Sequence, residues 1–344
     1  MRVDAFDFDL PTELIAQTPL DERDAARLLV VGDTLRDRSI RGLPGLLTPG
    51  DLLVLNETKV LPTRFAGQRQ RGASPVQVTL VADLGNDRWQ ALAKPGRRLV
   101  PGDVVVLAPG LEAQVTAKDA VGFFTLGLQA HAGEVRDAIW QAGSMPLPPY
   151  IKRPAAGDPA DLERYQPIFA KTEGSVAAPT ASLHFTDRLL AALDERSIRR
   201  AAVTLHVGLG TFLPVKAEDT TGHRMHAEWF DLPEATVAAV AATRASGGKV
   251  VAVGTTVLRA LEARARSGEL EAGSGETDLF ITPGFDFHVV DRLLTNFHLP
   301  RSTLFMLVAA MAGLERMQAA YAHAIVERYR FFSYGDACLI DRMA

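Results

Sequence analysis

Between Phe65 and Ala130 apolar and polar residues alternate in short runs, V-Q-V-T-L-V, W-Q-A-L-A, D-V-V-V-L, A-Q-V-T-A and F-F-T-L-G-L, separated by Gly, Pro, Asn and Asp. A period of two with regular turn residues predicts short strands forming a small sandwich or barrel. The pattern differs on either side. A helix over 134–143 is closed by Gly, and M-P-L-P-P-Y-I-K-R-P makes a stiff connector. The chain then alternates helical and strand periods, with helices predicted over 187–196, 234–245, 257–267, 302–312 and 315–328. Strands are predicted over 201–207, 249–253, 278–282 and 292–296. The first 60 residues offer a Pro-initiated helix over 11–16 and strands over 27–31 and 51–55, too little for a domain of their own. They are expected to join the later sheet. The fold expected is a large mixed α/β layered domain (1–62 plus 146–344) with an inserted small β-barrel (63–145).

The length of 344 residues agrees with two units, since one hydrophobic core seldom supports so long a chain. With 47% hydrophobic and 23% charged residues the composition is that of a folded globular protein, neither disordered nor membrane-embedded. Cys338, the single cysteine, allows no intrachain disulfide and no cysteine metal cluster. The opening M-R-V-D-A-F-D-F-D-L-P carries acids unlike a secretory signal, and the apolar run 304–314 is too short to cross a bilayer. A cytoplasmic location without membrane attachment is expected. No amphipathic stripe stands out as unburied, so a monomer is expected. The formal charge of -4 announces no global field for nucleic acid. Local clusters would have to serve if RNA is bound: Lys94 with Arg97 and Arg98, Lys152 with Arg153, Arg199 with Arg200, or Arg36, Arg38 and Arg41. Taken one at a time, each reads more readily as solvated surface.

Candidate chemistry crowds into five polar blocks of the second half: G-S-V-A-A-P-T-A-S-L-H-F, T-L-H-V-G-L-G-T-F, G-H-R-M-H-A-E, T-N-F-H-L-P-R-S-T-L and Y-R-F-F-S-Y-G-D-A. His184, His206, His223, His226 and His298 lie inside them, which suggests a pocket assembled from distant segments. In K-V-V-A-V-G-T-T-V-L-R-A-L-E a strand runs through Gly254, Thr255 and Thr256 into a helix carrying Arg259. That order puts backbone N–H groups and two hydroxyls where open α/β sheets bind ligands, although either threonine could simply cap the helix. His206 ends an apolar strand, followed by Gly208 and Gly210, which would allow close approach of a ligand. His223 and His226 would share a helical face, or His226 and Glu228 a strand face. Zinc is conceivable there, but the H-E-x-x-H spacing is absent and a third ligand must come from elsewhere, so no metal is assigned and proton carriage is preferred. Arg330 among the aromatics of 329–336 suits base stacking, while Phe331 and Phe332 read as buried packing.

Taken together, and with L-I-A-Q-T-P, R-L-L-V-V, D-L-L-V-L-N-E-T-K-V-L-P-T-R and M-P-L-P-P-Y-I in order before them, these blocks resemble the S-adenosylmethionine:tRNA ribosyltransferase-isomerase family of queuosine biosynthesis. Two departures stand out: Ser182, where the family usually has Gly, and Val257-Leu258, where a Ser-Val pair is common. The resemblance implies transfer of the ribosyl portion of S-adenosylmethionine, a co-substrate rather than a tightly bound cofactor, to the aminomethyl group of 7-aminomethyl-7-deazaguanine at the wobble position in the anticodon arm of tRNA. Adenine and methionine leave, and epoxyqueuosine forms. Such chemistry needs several proton transfers, for which His184, His206, His226 and Glu228 are the candidates. Thr180, Thr255, Thr256, Arg259, Asn296, His298, Arg301 and Asp336 are the candidates for positioning substrates. Arg259 or a helix N-terminus would receive the methionine carboxylate. The competing classes are a His-rich metallohydrolase and a non-catalytic RNA-binding module.

Overall fold

The computed structural model describes residues 1–208, 218–223 and 225–343. They divide into two compact units, one of Met1–Thr58, Pro167–Thr172 and Ala178–Ala344, the other of Lys59–Gln166 and Glu173–Ala177.

In the larger unit, nine strands among the described residues form one mixed sheet. From edge to edge they are Gly273–Thr277, Glu228–Leu232, Arg199–Leu205, Leu52–Asn56, Val250–Val253, Arg292–Asn296, Ala337–Asp341, Arg27–Val31 and Leu35–Ser39. The four in the middle, from Arg199–Leu205 to Arg292–Asn296, run parallel. Leu52–Asn56, Val250–Val253 and Arg292–Asn296 are buried along their whole length, the continuous apolar reading that a sheet covered on both faces requires. Leu53, Leu55, Val251, Val253 and Leu294 pack with Phe185, Leu189 and Leu193 on one face. Helices Glu234–Ala245 and Thr255–Arg264 pack against the sheet, as do Thr303–Ala312 and Leu314–Val326 nearer the Ala337–Asp341 side. The flanking strands Glu228–Leu232 and Ala337–Asp341 run antiparallel to their inner neighbours. Their first residues therefore lie at the carboxyl end of the parallel set.

The smaller unit is a closed six-stranded antiparallel barrel of Arg64–Arg69, Pro75–Asp83, Arg88–Lys94, Val104–Ala108, Leu111–Lys118 and Phe124–Ala130. Alternate residues such as Val78, Leu80, Ala91, Val105, Ala113, Val115 and Leu126 fill the interior, and helix Val135–Ala142 adds Val135 and Ile139 to the same core. Closure leaves no open sheet edge.

The mixed α/β fold with a barrel is as the sequence predicts, and the differences have local causes. Residues 11–16 form only a 3-10 turn at Thr12–Leu14. The edge strand lies at Gly273–Thr277 instead of 278–282: G-S-G-E-T pairs with Glu228–Leu232, while the more apolar D-L-F-I-T turns inward and Leu279 gives its carbonyl to Arg259. Residues 146–166, included in the expected domain span 146–344, cluster by contacts with the barrel. Gln166 is bonded through its side chain to both the N–H (3.0 Å) and the carbonyl (2.6 Å) of Val60. Among the described residues no helix is long and apolar enough to cross a membrane.

Candidate active site

Strand pairing brings the distant blocks together. Leu205, Asn56, Val253 and Asn296 are the last residues of the four parallel strands, and Glu228 and Ala337 are the first residues of the antiparallel flankers. The carboxyl end of parallel strands is where open α/β sheets bind ligands.

Asn56 fastens this end. Its side chain accepts from Leu205 N–H (3.0 Å) and Thr58 N–H (3.1 Å) and donates to Leu205 O (2.9 Å) and Thr256 Oγ1 (3.4 Å). The next residue after Leu205 is His206, half-buried, with Nδ1 at 2.8 Å from Thr58 Oγ1. Its ring stacks on Trp229 (centroids 4.9 Å apart, planes at 23°), and its N–H donates to Trp229 O at 2.9 Å. Stacking on Trp229 and the Thr58 hydroxyl at Nδ1 set the ring plane.

Glu228 lies beside it, buried. One carboxylate oxygen accepts the Gly208 N–H at 3.0 Å, and the other pairs with Arg259 Nη1. Arg259, also buried, donates further from Nε to Leu279 O (3.0 Å) and from Nη2 to Thr277 O (3.3 Å). A buried ion pair of this kind is tolerable because each partner is satisfied. Both candidates are thus present and adjacent, each committed to the other. Gly254, with φ +96, turns strand Val250–Val253 into helix Thr255–Arg264, a backbone conformation that favours glycine. No side chain caps that helix, so Thr255 and Thr256, both buried, do not act as its N-cap.

On the other flank, His184 ends the 3-10 turn Thr180–His184, where Thr180 is half-buried. Burial pulls the His184 imidazole down to about 4, opposed by Asp336, so the ring is neutral at pH 7. Asn296 Nδ2 lies 3.3 Å from His184 Nε2 and donates to Phe332 O at 3.1 Å. Asn296 Oδ1 is buried without a donor from the protein. Asp336 serves the backbone: it accepts the N–H groups of Arg27 (2.9 Å) and Arg330 (2.8 Å) and the Arg27 Nε at 3.4 Å. Ser182, the departure from glycine, adopts no left-handed backbone, and its hydroxyl is buried without a partner.

Other candidates stand apart. His298 faces Thr295 Oγ1 at 3.1 Å, its N–H donates to the Tyr321 hydroxyl at 2.9 Å, and burial pulls it down to about 3. Arg301 is exposed with φ 55, tied through its N–H to Phe6 O at 2.9 Å. His226 is exposed, and His223 packs edge-on to Phe280 at 5.1 Å. Gly210 and Arg224 lie outside the described residues. Among the described residues no three His, Cys, Asp or Glu side chains form a metal-holding group. Tyr329, Phe331, Phe332 and Tyr334 are all buried, so the aromatics around Arg330 build core instead of a stacking surface.

Asn56, Thr58 and Trp229 were missed as site residues. N-E-T-K was visible as a motif, but only the pairing of Leu52–Asn56 with Arg199–Leu205 puts Asn56 and Thr58 beside His206.

Comparison with known proteins agrees over the whole length. The family model described as "Queuosine biosynthesis protein" matches residues 3–340. An S-adenosylmethionine:tRNA ribosyltransferase-isomerase of Rhodospirillum rubrum is 54% identical over 343 residues, covering 99% of this chain and 98% of the relative. One of Rhodopseudomonas palustris (strain TIE-1) is 53% identical over 355 residues, covering 99% of each. The crystal structure of S-adenosylmethionine tRNA ribosyltransferase from Thermotoga maritima is similar with a TM-score of 0.57 and 37% identity, over 98% of this chain and 99% of that one. With a family match spanning nearly every residue and relatives above half identity, the chain belongs to the queuosine-biosynthesis family of S-adenosylmethionine:tRNA ribosyltransferase-isomerases.

Proposed function

We propose that this protein transfers and isomerises the ribosyl portion of S-adenosylmethionine onto 7-aminomethyl-7-deazaguanine at the wobble position of tRNA, giving epoxyqueuosine and releasing adenine and methionine. The observation that carries the proposal is the convergence of residues from 56 to 296 at the carboxyl end of four parallel strands. It is in keeping with the family and with the names of the relatives.

The reaction asks for a deprotonated amine, removal of a proton beside the sulfonium and protonation of departing adenine. His206, held by Thr58 and Trp229, is the proton carrier best positioned for these steps. His184, buried beside Asn296, is the candidate on the other flank. His226 is exposed. Glu228 supports them through Arg259 and the Gly208 backbone. Because Arg259 already serves three protein acceptors, the uncapped start of helix Thr255–Arg264, with Thr255 and Thr256, is the better receiver for the methionine carboxylate.

The test is incubation with S-adenosylmethionine and an anticodon stem-loop carrying the 7-aminomethyl-7-deazaguanine base, followed by mass spectrometry. Adenine, methionine and an RNA heavier by the transferred ribosyl unit are expected. S-adenosylhomocysteine would mean a methyltransferase, and intact co-substrate with bound RNA a binding module.

A further inference from the structure

Charge is divided unevenly between the two ends of the barrel, and the topology is the cause. Neighbouring strands are all antiparallel, so the connections 70–74, 95–103 and 119–123 emerge at the same end. Hydrogen bonds tie them together there. Gln70 N–H donates to Val104 O at 2.8 Å, and Lys118 Nζ donates to Gly96 O at 2.9 Å while lying over the Phe124 ring. This end collects Arg69, Arg71, Lys94, Arg97, Arg98 and Lys118 against only Asp103 and Asp119. Both acids are already engaged. Asp103 accepts from Arg69 Nη2 at 2.7 Å and from the Val100 N–H at 2.9 Å. Asp119 Oδ1 accepts the N–H groups of Val121 (2.9 Å), Gly122 (2.7 Å) and Phe123 (2.8 Å). Arg71, Lys94, Arg97 and Arg98 are exposed and form no ion pair among the described residues. The opposite end of the strands has Asp83, Asp87 and Glu112 against Arg64 and Arg88, and the whole chain carries -4. The positive end is a local field inside an acidic protein.

Exposed cations without counter-charges attract a polyanion, and the surroundings say how it is held. The barrel interior is filled by apolar side chains, so the ligand lies across the end and does not enter. Phe123 is half-buried and Phe124 buried, which leaves no open ring at this end on which a base could stack. Guanidinium and ammonium groups carried on separate loops suit phosphates spaced along a backbone. Resting on the ribosyl-transfer reading, in which the substrate is a tRNA, we propose that this end of the barrel holds the tRNA by its phosphate backbone, through Arg71, Arg97 and Arg98 and independently of base sequence.

The test is the affinity for a full-length tRNA transcript, measured by filter binding over a series of salt concentrations. The wild type is compared with the triple variant Arg71→Gln, Arg97→Gln, Arg98→Gln and with a control triple, Arg88→Gln, Arg266→Gln, Arg328→Gln, which removes equal charge elsewhere. The barrel variant is expected to bind roughly 10- to 100-fold more weakly, with a slope of log affinity against log salt shallower by about 2 to 3. Its KM for S-adenosylmethionine should stay within about twofold. Base changes in the tRNA stems, with pairing kept, should leave its loss unaltered. An equal loss in the control triple would mean that net charge and not this site governs binding, and would overturn the proposal. Unchanged affinity and slope in the barrel variant would overturn it too. So would loss of binding to phosphatidylglycerol vesicles with tRNA affinity intact, which would assign the patch to a membrane surface. Where circular dichroism shows that the barrel triple does not fold, the double variant Arg97→Gln, Arg98→Gln carries the same comparison. Because filter binding needs no turnover, an inactive wild type would sink the ribosyl-transfer reading while the barrel site is still judged by the same affinities and slopes.

Discussion

His184 and His206 stand at the same end of one sheet, and their surroundings have made them different groups. His184 is buried beside Asn296, and burial, opposed by Asp336, keeps it neutral at pH 7. His206 is half-buried, stacked on exposed Trp229 and anchored by Thr58, with the Glu228–Arg259 pair next to it. The lesson is that a histidine's usefulness is set by what restrains it and what reaches it. Burial fixes the protonation state on one flank; on the other, stacking and a single hydroxyl fix orientation while access to solvent is kept.

The largest expected effect breaks the His206 flank. Glu228→Ala leaves Arg259 buried without its counter-charge and should cost about 3–5 kcal/mol of stability, read by denaturant unfolding. The double variant with Arg259→Leu should recover part of that loss. Next comes acid unfolding, which reports the His184 flank. Because burial lowers the folded-state values of His184 (about 4) and His298 (about 3) below the usual 6.5, the unfolded chain binds more protons between them. Stability is therefore complete above about pH 6.5 and is lost as pH falls through that window, by about 3 kcal/mol for His184 alone. Unfolding curves at pH 7 and pH 5 should differ less for His184→Gln than for the wild type. Thr58→Val, which removes the anchor of His206 Nδ1, should lower single-turnover rates about tenfold without changing the melting temperature much. Smallest is Trp229→Leu, which keeps an apolar neighbour but loses the ring stack and should cost a few-fold in rate.

Much of this architecture was legible in the sequence. The alternating runs of 76–128 are barrel strands because each buries one face in a closed interior. Helices Asp187–Glu195, Glu234–Ala245 and Thr303–Ala312 fall where the helical period puts them. Gly-rich Gly273–Thr277 was hidden, since its strand character comes from pairing with Glu228–Leu232 and not from its own side chains. The site was legible as residue types but not as partnerships. Glu228 and Arg259 could be named, yet that they spend their charges on one another depends on a strand and a helix 31 positions apart meeting. Likewise His298, chemically indistinguishable from His184 in sequence, meets Tyr321 and Thr295 where His184 meets Asn296.

The most direct test is single-turnover ribosyl transfer by His206→Ala, with stem-loop binding measured in parallel. A rate lower by about 10²- to 10⁴-fold with RNA affinity retained is the predicted result. A rate within threefold of the wild type would contradict the assignment of proton transfer to the Thr58–His206–Trp229 flank.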